Sequence, residues 1–552
     1  MKLAHQMVRF FFEKIMRSFA RTTSSSSFEI IPIKRPFSMF EFVESRFNQS
    51  ASLRRILSQV RLQGGKTIVV EKIDKADDLD EENEDIKKCF PAFNQSESFR
   101  LSFFTKSFST KRGLGTAHNN EFLGYAIVKT DNVSSSPVRS KVYESVTLPS
   151  RHPNNFIRGV QKWTCNVLDN KFVVEGYLYA QQNTITNACA HVALRTVAAR
   201  YHKEIDMSYR EMNLIAGVDH INRKGGHGLD STEMVRILEA AGARCFVGDY
   251  TTVESVAKSP APFYKCLYAS IESGFPAIII FGTTTNSYHA IPVFGHTFNE
   301  DTWAPNAEFA YFKVGSGTRY IPSESWLSMF VTHDDNFGSN FCMAKNYLST
   351  KRLCDEQEPH SILCPLGTEM VACVIATVPE KIKMDPISAE VIGADYLFAV
   401  LPQMPTVKNP WDDRLKYYAN KDMLVLRTII VTVNDYAHHL SIATDWHGKK
   451  IKRTMISALK KNLQDKYYWL IELSVPELFP ANRRKVAEVL IRAEVEADLT
   501  NYSRNFKDFV IARLPGHFAL YEGGGSSNPK YRFVPSGVSS HIELYGCEEQ
   551  NL

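Results

Sequence analysis

YAQQNTITNACAHVALRTVAAR, residues 179–200, is the stretch that decides the expected fold of this 552-residue chain. A β-like segment ends near Tyr179, a short polar loop follows, and an Ala-rich helix then begins. Thr186 or Asn187 is a natural N-cap, which places Cys189 in the first turn of that helix. The free N–H groups and partial positive charge of a helix N-terminus favour a thiolate and can hold an oxyanion. The stretch therefore marks Cys189 as a candidate nucleophile.

A cysteine by itself is more often a small buried apolar residue, so the segments that follow decide how it is interpreted. Asp230 and Glu233 form a capping-box pattern at the start of a helix that Gly242 would end. The Gly-Phe-Pro sequence at residues 274–276 predicts a turn that leads into a buried strand.

His289 opens a further predicted strand, after a polar loop. An imidazole at the start of such a strand can face a helix N-terminus and deprotonate a thiol there. A third strand, residues 329–338, contains Asp334 and Asp335 towards its end, and either carboxylate could orient the imidazole. The order of these residues therefore predicts a Cys-His-Asp site.

In this order the chain resembles the papain-like cysteine peptidases, most closely the bacterial branch that cleaves double-glycine leader peptides. That family has a Gln, a Cys at a helix start, a Gly-x-Pro strand, a His that opens a strand, and an Asp or Asn that closes the next strand. The resemblance implies that Cys189 is the nucleophile and that His289 is the general base and later the acid. It also implies that Gln182 is the oxyanion donor and that Asp334 or Asp335 orients the imidazole.

Departures from the family pattern leave alternatives open. The family usually has Gly directly after the Cys, where this chain has Ala190. The spacing from Gln to Cys is one residue longer than is common, so Gln181 or Gln182 could form the oxyanion hole. A long insertion, residues 299–325, carries Asp301, which lies nearer the usual sequence distance for the acid.

The expected fold class is α+β. Its core would be papain-like, with the helix bearing the Cys packed on an antiparallel sheet bearing the His. The length favours several domains, and the acidic run from Asp74 to Asp85 is best interpreted as a solvated linker. The expected units are an N-terminal segment with an amphipathic helix and the acidic linker (1–92), a β-rich module (93–178), the peptidase core (179–345), a linker (346–384) and a mixed α/β domain (385–552).

Composition restricts the partners. The chain has 65 Lys+Arg and 60 Asp+Glu, a net charge of +5, which does not suggest a nucleic-acid binder. No apolar run is long enough for a transmembrane segment. A basic amphipathic helix over residues 8–19 leaves contact with a membrane surface open.

The ten cysteines contain no CxxC pair, and their scatter favours reduced thiols in a cytoplasmic protein. Neither GxGxxG nor a Walker sequence is present, and no cysteine or histidine set has the spacing of metal ligands, so we expect no cofactor and no metal. The expected function is a cysteine peptidase that hydrolyses a peptide or isopeptide bond in a protein or peptide substrate. A papain-fold deamidase, transglutaminase or acyltransferase is an alternative, as is a non-catalytic scaffold with a degenerate peptidase fold.

Overall fold

The structure is a computed structural model that describes most of the chain. Three sequence predictions lie outside the described residues: the basic helix of residues 8–19, the N-cap at Thr186 or Asn187, and the candidate acid Asp301. The described residues are 27–35, 38–47, 50–133, 139–149, 155–182, 189–202, 206–219, 228–258, 261–282, 288–299, 320–350, 369–405, 409–445, 447–497, 509–524, 528–538 and 541–546.

The fold is α+β with largely antiparallel sheets, as the sequence predicts. The N-terminal region contains one five-stranded sheet in the order β1-β2-β3-β4-β5. The predicted boundary at residue 93 therefore falls between neighbouring strands of one sheet. The elements of this region are β1 (Phe28–Pro32), α1 (Ser38–Phe47), α2 (Ala51–Leu62), β2 (Thr67–Ile73), α3 (Asp77–Cys89), β3 (Phe93–Phe104), α4 (Lys111–Leu114), β4 (Phe122–Val133) and β5 (Arg139–Thr147).

The acidic run is not a linker, and that expectation was wrong. Residues 77–89 form helix α3, whose first turn is acidic and so complements the helix dipole. Glu82 of this helix is buried between Lys129 of β4 (2.8 Å) and Lys141 of β5 (2.5 Å). The acids are counterions for lysines distant in sequence, which the local charge pattern does not reveal.

The central region contains an eight-stranded sheet, with the path β14-β13-β11-β10-β16-β15; β6 pairs with β11 and β9 pairs with β16. Strands β10, β11 and β13 are antiparallel neighbours, and helix α5 packs against β11. The elements are β6 (Asn155–Phe156), β7 (Gln161–Val167), β8 (Asn170–Gly176), α5 (Cys189–Ala198), α6 (Tyr209–Ala216), α7 (Ser231–Ala240), β9 (Ala243–Asp249), α8 (Val253–Lys258), α9 (Phe263–Glu272), β10 (Ala277–Gly282), β11 (Tyr288–Phe298), β12 (Ile321–Pro322), β13 (Leu327–Asp334), β14 (Gly338–Ala344), β15 (Leu348–Ser349) and β16 (Glu369–Pro379).

The predicted linker over residues 346–384 was wrong for its second half. Strand β16 lies inside the central sheet, antiparallel to both β10 and β9. Its MVACVIATV sequence is a continuous apolar run, typical of a strand that is covered on both faces. The prolines and charges that precede this run are typical of a linker, and the prediction for the whole segment followed them.

The C-terminal region contains a seven-stranded sheet, in the order β12-β17-β18-β20-β21-β22-β23. Because β12 belongs to the central region in sequence, its parallel pairing with β17 joins the two regions. The elements are α10 (Pro386–Val400), α11 (Pro410–Asn420), β17 (Val425–Thr432), α12 (Val433–Ile442), α13 (Arg453–Asn462), β18 (Tyr467–Ser474), α14 (Phe479–Asn482), β19 (Arg484–Lys485), β20 (Ala487–Arg492), β21 (Phe509–Leu514), β22 (His517–Gly523), β23 (Lys530–Pro535) and β24 (Ile542–Glu543).

No helix in the described part of the chain is long and apolar enough to cross a membrane.

Candidate active site

Cys189 is the first residue of helix α5, as the sequence predicts. The helix is buried along its whole length after this residue, whereas Cys189 itself is only half-buried. Arg195 anchors the helix, because its guanidinium pairs in the interior with Asp206 and with Glu144 of β5. Cys189 is therefore partly exposed at the start of a helix that is held in the interior.

His289 is the second residue of β11, and its side chain is 10% exposed. The ring makes an edge contact with Phe281 on the neighbouring strand, with centroids 5.5 Å apart. Burial lowers the pKa of His289, but hydrogen bonds with Asp334 and Cys189, and the two aspartate charges, outweigh it and raise the pKa to about 10. The fold thus brings together a cysteine and a histidine that are 100 residues apart.

The acidic groups lie where β13 ends. Asp334 Oδ2 is 3.5 Å from His289 Nε2, and Asp335 Oδ1 is 3.3 Å from the same nitrogen. Asn336 Nδ2 is 3.4 Å from it. Three consecutive side chains therefore converge on one ring nitrogen, and distance does not select between the two candidate acids.

The surroundings of the two aspartates differ. Asp334 Oδ1 accepts hydrogen bonds from the backbone N–H groups of Asn336 (2.8 Å) and Phe337 (3.1 Å). Burial raises the pKa of Asp334, but its bonds to His289 and to these N–H groups outweigh burial and lower it. Burial raises the pKa of Asp335 to about 6, with the charge of Asp334 adding to the rise and His289 opposing it. Asp334 is therefore the more stable carboxylate at neutral pH.

The two candidate oxyanion donors are also distinguished. The side-chain oxygen of Gln181 accepts the N–H of Val142 (3.1 Å), and its backbone N–H donates to the Val142 carbonyl (2.9 Å). Gln182 is half-buried and makes no hydrogen bond with any other described residue. Gln181 is thus held against β5 through its amide oxygen and backbone, whereas Gln182 has no such bond and directly precedes the undescribed residues 183–188. The structure does not join Gln182 to the Cys-His group.

The sequence did not predict a set of hydrogen bonds from helix α2 that supports the turn after Asp334 and Asp335. Arg55 of α2 donates to the carbonyls of Ser339 and Asn340, at 2.6 Å each. Gln59, one turn further along α2, donates to Ser339 O at 2.9 Å and accepts from the Asn340 side chain at 2.8 Å. Nothing in the local sequence connects residue 55 to residue 339. Asn336 was also missed, and its position directly after the two aspartates was the available signal.

A second histidine stabilises the same hairpin. His333 is buried, and burial lowers its pKa to about 3. The neutral ring accepts the Asn340 N–H on Nδ1 (3.1 Å) and donates from Nε2 to the Tyr177 carbonyl (3.2 Å). His333 is therefore a structural residue and not a rival base.

Two groups of described side chains have donor atoms close enough to hold a divalent cation. His289, Asp334 and Asp335 place three donor atoms within 4.8 Å of one another, an imidazole and carboxylate set that Zn²⁺ accepts. The second group is His439, Glu472 and Glu488. In that group Lys485 is ion-paired with both glutamates, so protein cations already neutralise them.

No family model, curated protein or solved structure matches this chain. The interpretation of the site consequently rests on its own residues and their geometry.

Proposed function

We propose that this protein is a cysteine-type hydrolase that cleaves a peptide or isopeptide bond through an acyl-enzyme on Cys189. The observation that carries the proposal is the placement of His289 near Cys189, at a helix start, where the cysteine side chain helps to raise the pKa of His289. The carboxylates at the end of β13 add the third member that a Cys-His-Asp triad requires. The helix packed on an antiparallel sheet supports a papain-like core.

The charge state of the pair supports nucleophilic chemistry. With a pKa of about 10, His289 holds a proton at neutral pH. An imidazolium next to a sulfur favours the thiolate–imidazolium pair, in which the sulfur is the attacking species. Asp334 lies on the Nε2 side of the ring, which leaves Nδ1 for the sulfur.

The proposed reaction has two steps. The Cys189 sulfur attacks the substrate carbonyl, and His289 gives its proton to the leaving amine as the acyl-enzyme forms. His289 then takes a proton from the water that hydrolyses the thioester. The first N–H groups of α5 and the amide of Gln182 would stabilise the oxyanion, and Asp334 would hold the imidazole in orientation.

Alkylation of the thiols tests the proposal. We expect iodoacetamide at pH 7 to modify Cys189 first, and His289→Ala to slow that modification at least roughly tenfold. Cys342 is the internal control. The residue as a whole is exposed, but partial burial of its sulfur raises the pKa of the thiol. If Cys189 reacts no faster than Cys342, the activated thiol and the proposed hydrolase are both wrong.

Mass spectrometry of a peptide substrate incubated with the protein would define the reaction type. Peptide fragments that the wild type produces and Cys189→Ala does not would identify a hydrolase that acts through Cys189. A cytoplasmic location is part of the proposal, and it rests on the scattered cysteines of the sequence.

A further inference from the structure

A concentrated group of exposed cations lies on and next to helix α13. All seven are exposed, and six of the seven are lysines. We call this group the basic patch; its members are Lys449, Lys450, Lys452, Arg453, Lys460, Lys461 and Lys466.

The near-neutral total charge of the chain hides this patch. Residues 449–466 contain 7 basic residues and 1 acidic residue, Asp465, a net charge of 7 − 1 = +6. The whole chain has a net charge of +5, so the remaining residues sum to 5 − 6 = −1. The net charge of this one segment therefore exceeds that of the whole chain.

The charges of the patch are not neutralised within the described structure, where none of the seven cations forms an ion pair. The two nearest acids in sequence are otherwise engaged. Asp465 pairs with Arg492 at 2.6 Å, and Asp445 is buried and accepts the N–H groups of His447 and Lys449. The patch thus presents its full charge to solvent.

Helix α13 places several of these cations on one side. Arg453, Lys460 and Lys461 stand at positions i, i+7 and i+8, which lie on the same side of a helix over about 10 Å. Ile456 is buried against the rest of the protein. The helix is therefore amphipathic, with an apolar side facing the protein and a basic side facing outwards.

We infer that the basic patch binds an anionic lipid surface. Clusters of four to eight lysines and arginines on an amphipathic helix attract acidic headgroups, and each cation near the surface adds to the attraction. Lysine is a point charge suited to such diffuse attraction, whereas arginine is the residue suited to bidentate phosphate recognition. Three aromatic residues directly follow the patch: Lys466 lies over the ring of Tyr467, 4.9 Å from its centroid, and Tyr468 and Trp469 are buried, which leaves little described aromatic surface on which a nucleic-acid base could stack. These features favour a membrane surface over a nucleic acid.

The patch does not include any residue of the Cys189 site. The inference therefore stands whether or not the proposed hydrolase activity is found.

Flotation of the full-length protein with lipid vesicles tests the inference. We expect binding to phosphatidylcholine vesicles that contain phosphatidylserine, no binding to phosphatidylcholine alone, and weaker binding as salt is raised. The double substitution Lys460→Glu and Lys461→Glu should weaken binding roughly tenfold or more. Replacing both lysines with Arg keeps the charge and should retain binding.

The matched control reverses two exposed lysines elsewhere, Lys171→Glu together with Lys530→Glu, which changes the net charge by the same amount. This control should bind like the wild type, and thermal unfolding of each variant checks that it is folded. Absence of binding to acidic vesicles, or equal loss in the control and the patch variant, would overturn the inference. Tighter binding to a single-stranded RNA, lost on the Lys460/Lys461 reversal, would overturn it in favour of a nucleic acid.

Discussion

At the scale of single residues, His289 is the group on which the proposed chemistry depends. Its ring faces Asp334 and Asp335, and the Cys189 side chain is among the groups that raise its pKa. The two aspartates differ in the sign of their pKa shift: burial dominates at Asp335 and raises its pKa, whereas at Asp334 the bonds to His289 and to two backbone N–H groups outweigh burial and lower it. A protonated His289 and an ionised Asp334 form a stable pair, whereas Asp335 is an additional buried charge.

The raised pKa of His289 predicts a pH-dependent stability. The folded pKa of about 10 lies above the ordinary value of 6.5, so folding favours the protonated form. This contribution to the free energy of unfolding is complete below about pH 6.5 and is lost as pH rises through about 10. Urea unfolding between pH 7 and 10 should show the fall in the wild type and a smaller fall in His289→Gln. Parallel pH profiles would contradict the assignment.

The two aspartates should respond oppositely to neutralisation. The pKa of Asp335 is raised, so its ionised form costs free energy above about pH 6, and Asp335→Asn should stabilise the protein at neutral pH by about 1–3 kcal/mol. The pKa of Asp334 is lowered, so Asp334→Asn should destabilise it. Urea unfolding at pH 7.5 compares them, and a change of the same sign in both variants would refute the difference.

At the scale of elements, helix α2 supports the turn that carries the acids. Gly338 in this turn has φ of +108°, and a Cβ there would lie 2.9 Å from Arg55 Cδ. The close approach lets the Arg55 guanidinium reach the carbonyls of Ser339 and Asn340. The N-terminal sheet and its helices are therefore part of the support of the site.

Removal of this support should affect both stability and reactivity. Arg55→Ala leaves two carbonyls without their charged donor and should cost about 1–3 kcal/mol of unfolding free energy. It should also slow alkylation of Cys189 and change its pH profile, because the acidic turn loses its position against His289. Arg55→Lys keeps the charge without the planar fork and should fall in between.

Arg54→Ala is the matched control for this prediction. Arg54 precedes Arg55 on α2, but it pairs with Glu44 while 43% exposed, and such pairs contribute about 0–1 kcal/mol. Equal effects of the Arg54 and Arg55 substitutions on stability and on the alkylation profile would show that α2 does not position the turn.

At the scale of the whole molecule, buried ion pairs join the central and C-terminal sheets. His296 of β11 lies 2.5 Å from Glu272 of α9, and Arg427 of β17 pairs with the same carboxylate. Arg427 also contacts Glu472 of β18 at 2.6 Å, and Glu472 is in turn ion-paired with Lys485. Of these buried pairs, the one between Arg427 and Glu272 crosses from the C-terminal to the central region, so separating the two regions would remove one cation from Glu272.

Arg427→Met should therefore destabilise the protein by about 3–5 kcal/mol, since it leaves two buried carboxylates without that cation. Arg492→Met is the control: its pair with Asp465 is 41% exposed on the arginine side and should contribute about 0–1 kcal/mol. Calorimetry should show one transition for both sheets that shifts in the Arg427 variant. A transition limited to the C-terminal sheet would contradict the shared interior.

Local patterns predicted the elements around the candidate site but not their long-range partners. The start of α5 at Cys189 and the turn before β10 follow from spacing, capping and glycine, which act within a few residues. The sequence did not predict helix α3 or strand β16. Acidic runs and proline-rich segments are also typical of linkers, so the local sequence did not distinguish these two elements from a linker. The papain-like assignment of the core stays a prediction.

From the sequence alone come the α+β class, the order of cysteine, histidine and aspartates, and the elements on which each of them lies. Only the tertiary structure brought Cys189 and His289 into contact and distinguished Asp334 from Asp335 by their surroundings. It also revealed the hydrogen bonds from Arg55 to the turn after the two aspartates, and the exposure of the basic patch. The physical reason is range: capping and periodicity act within one or two turns, whereas burial, hydrogen bonding and charge pairing depend on neighbours hundreds of residues away.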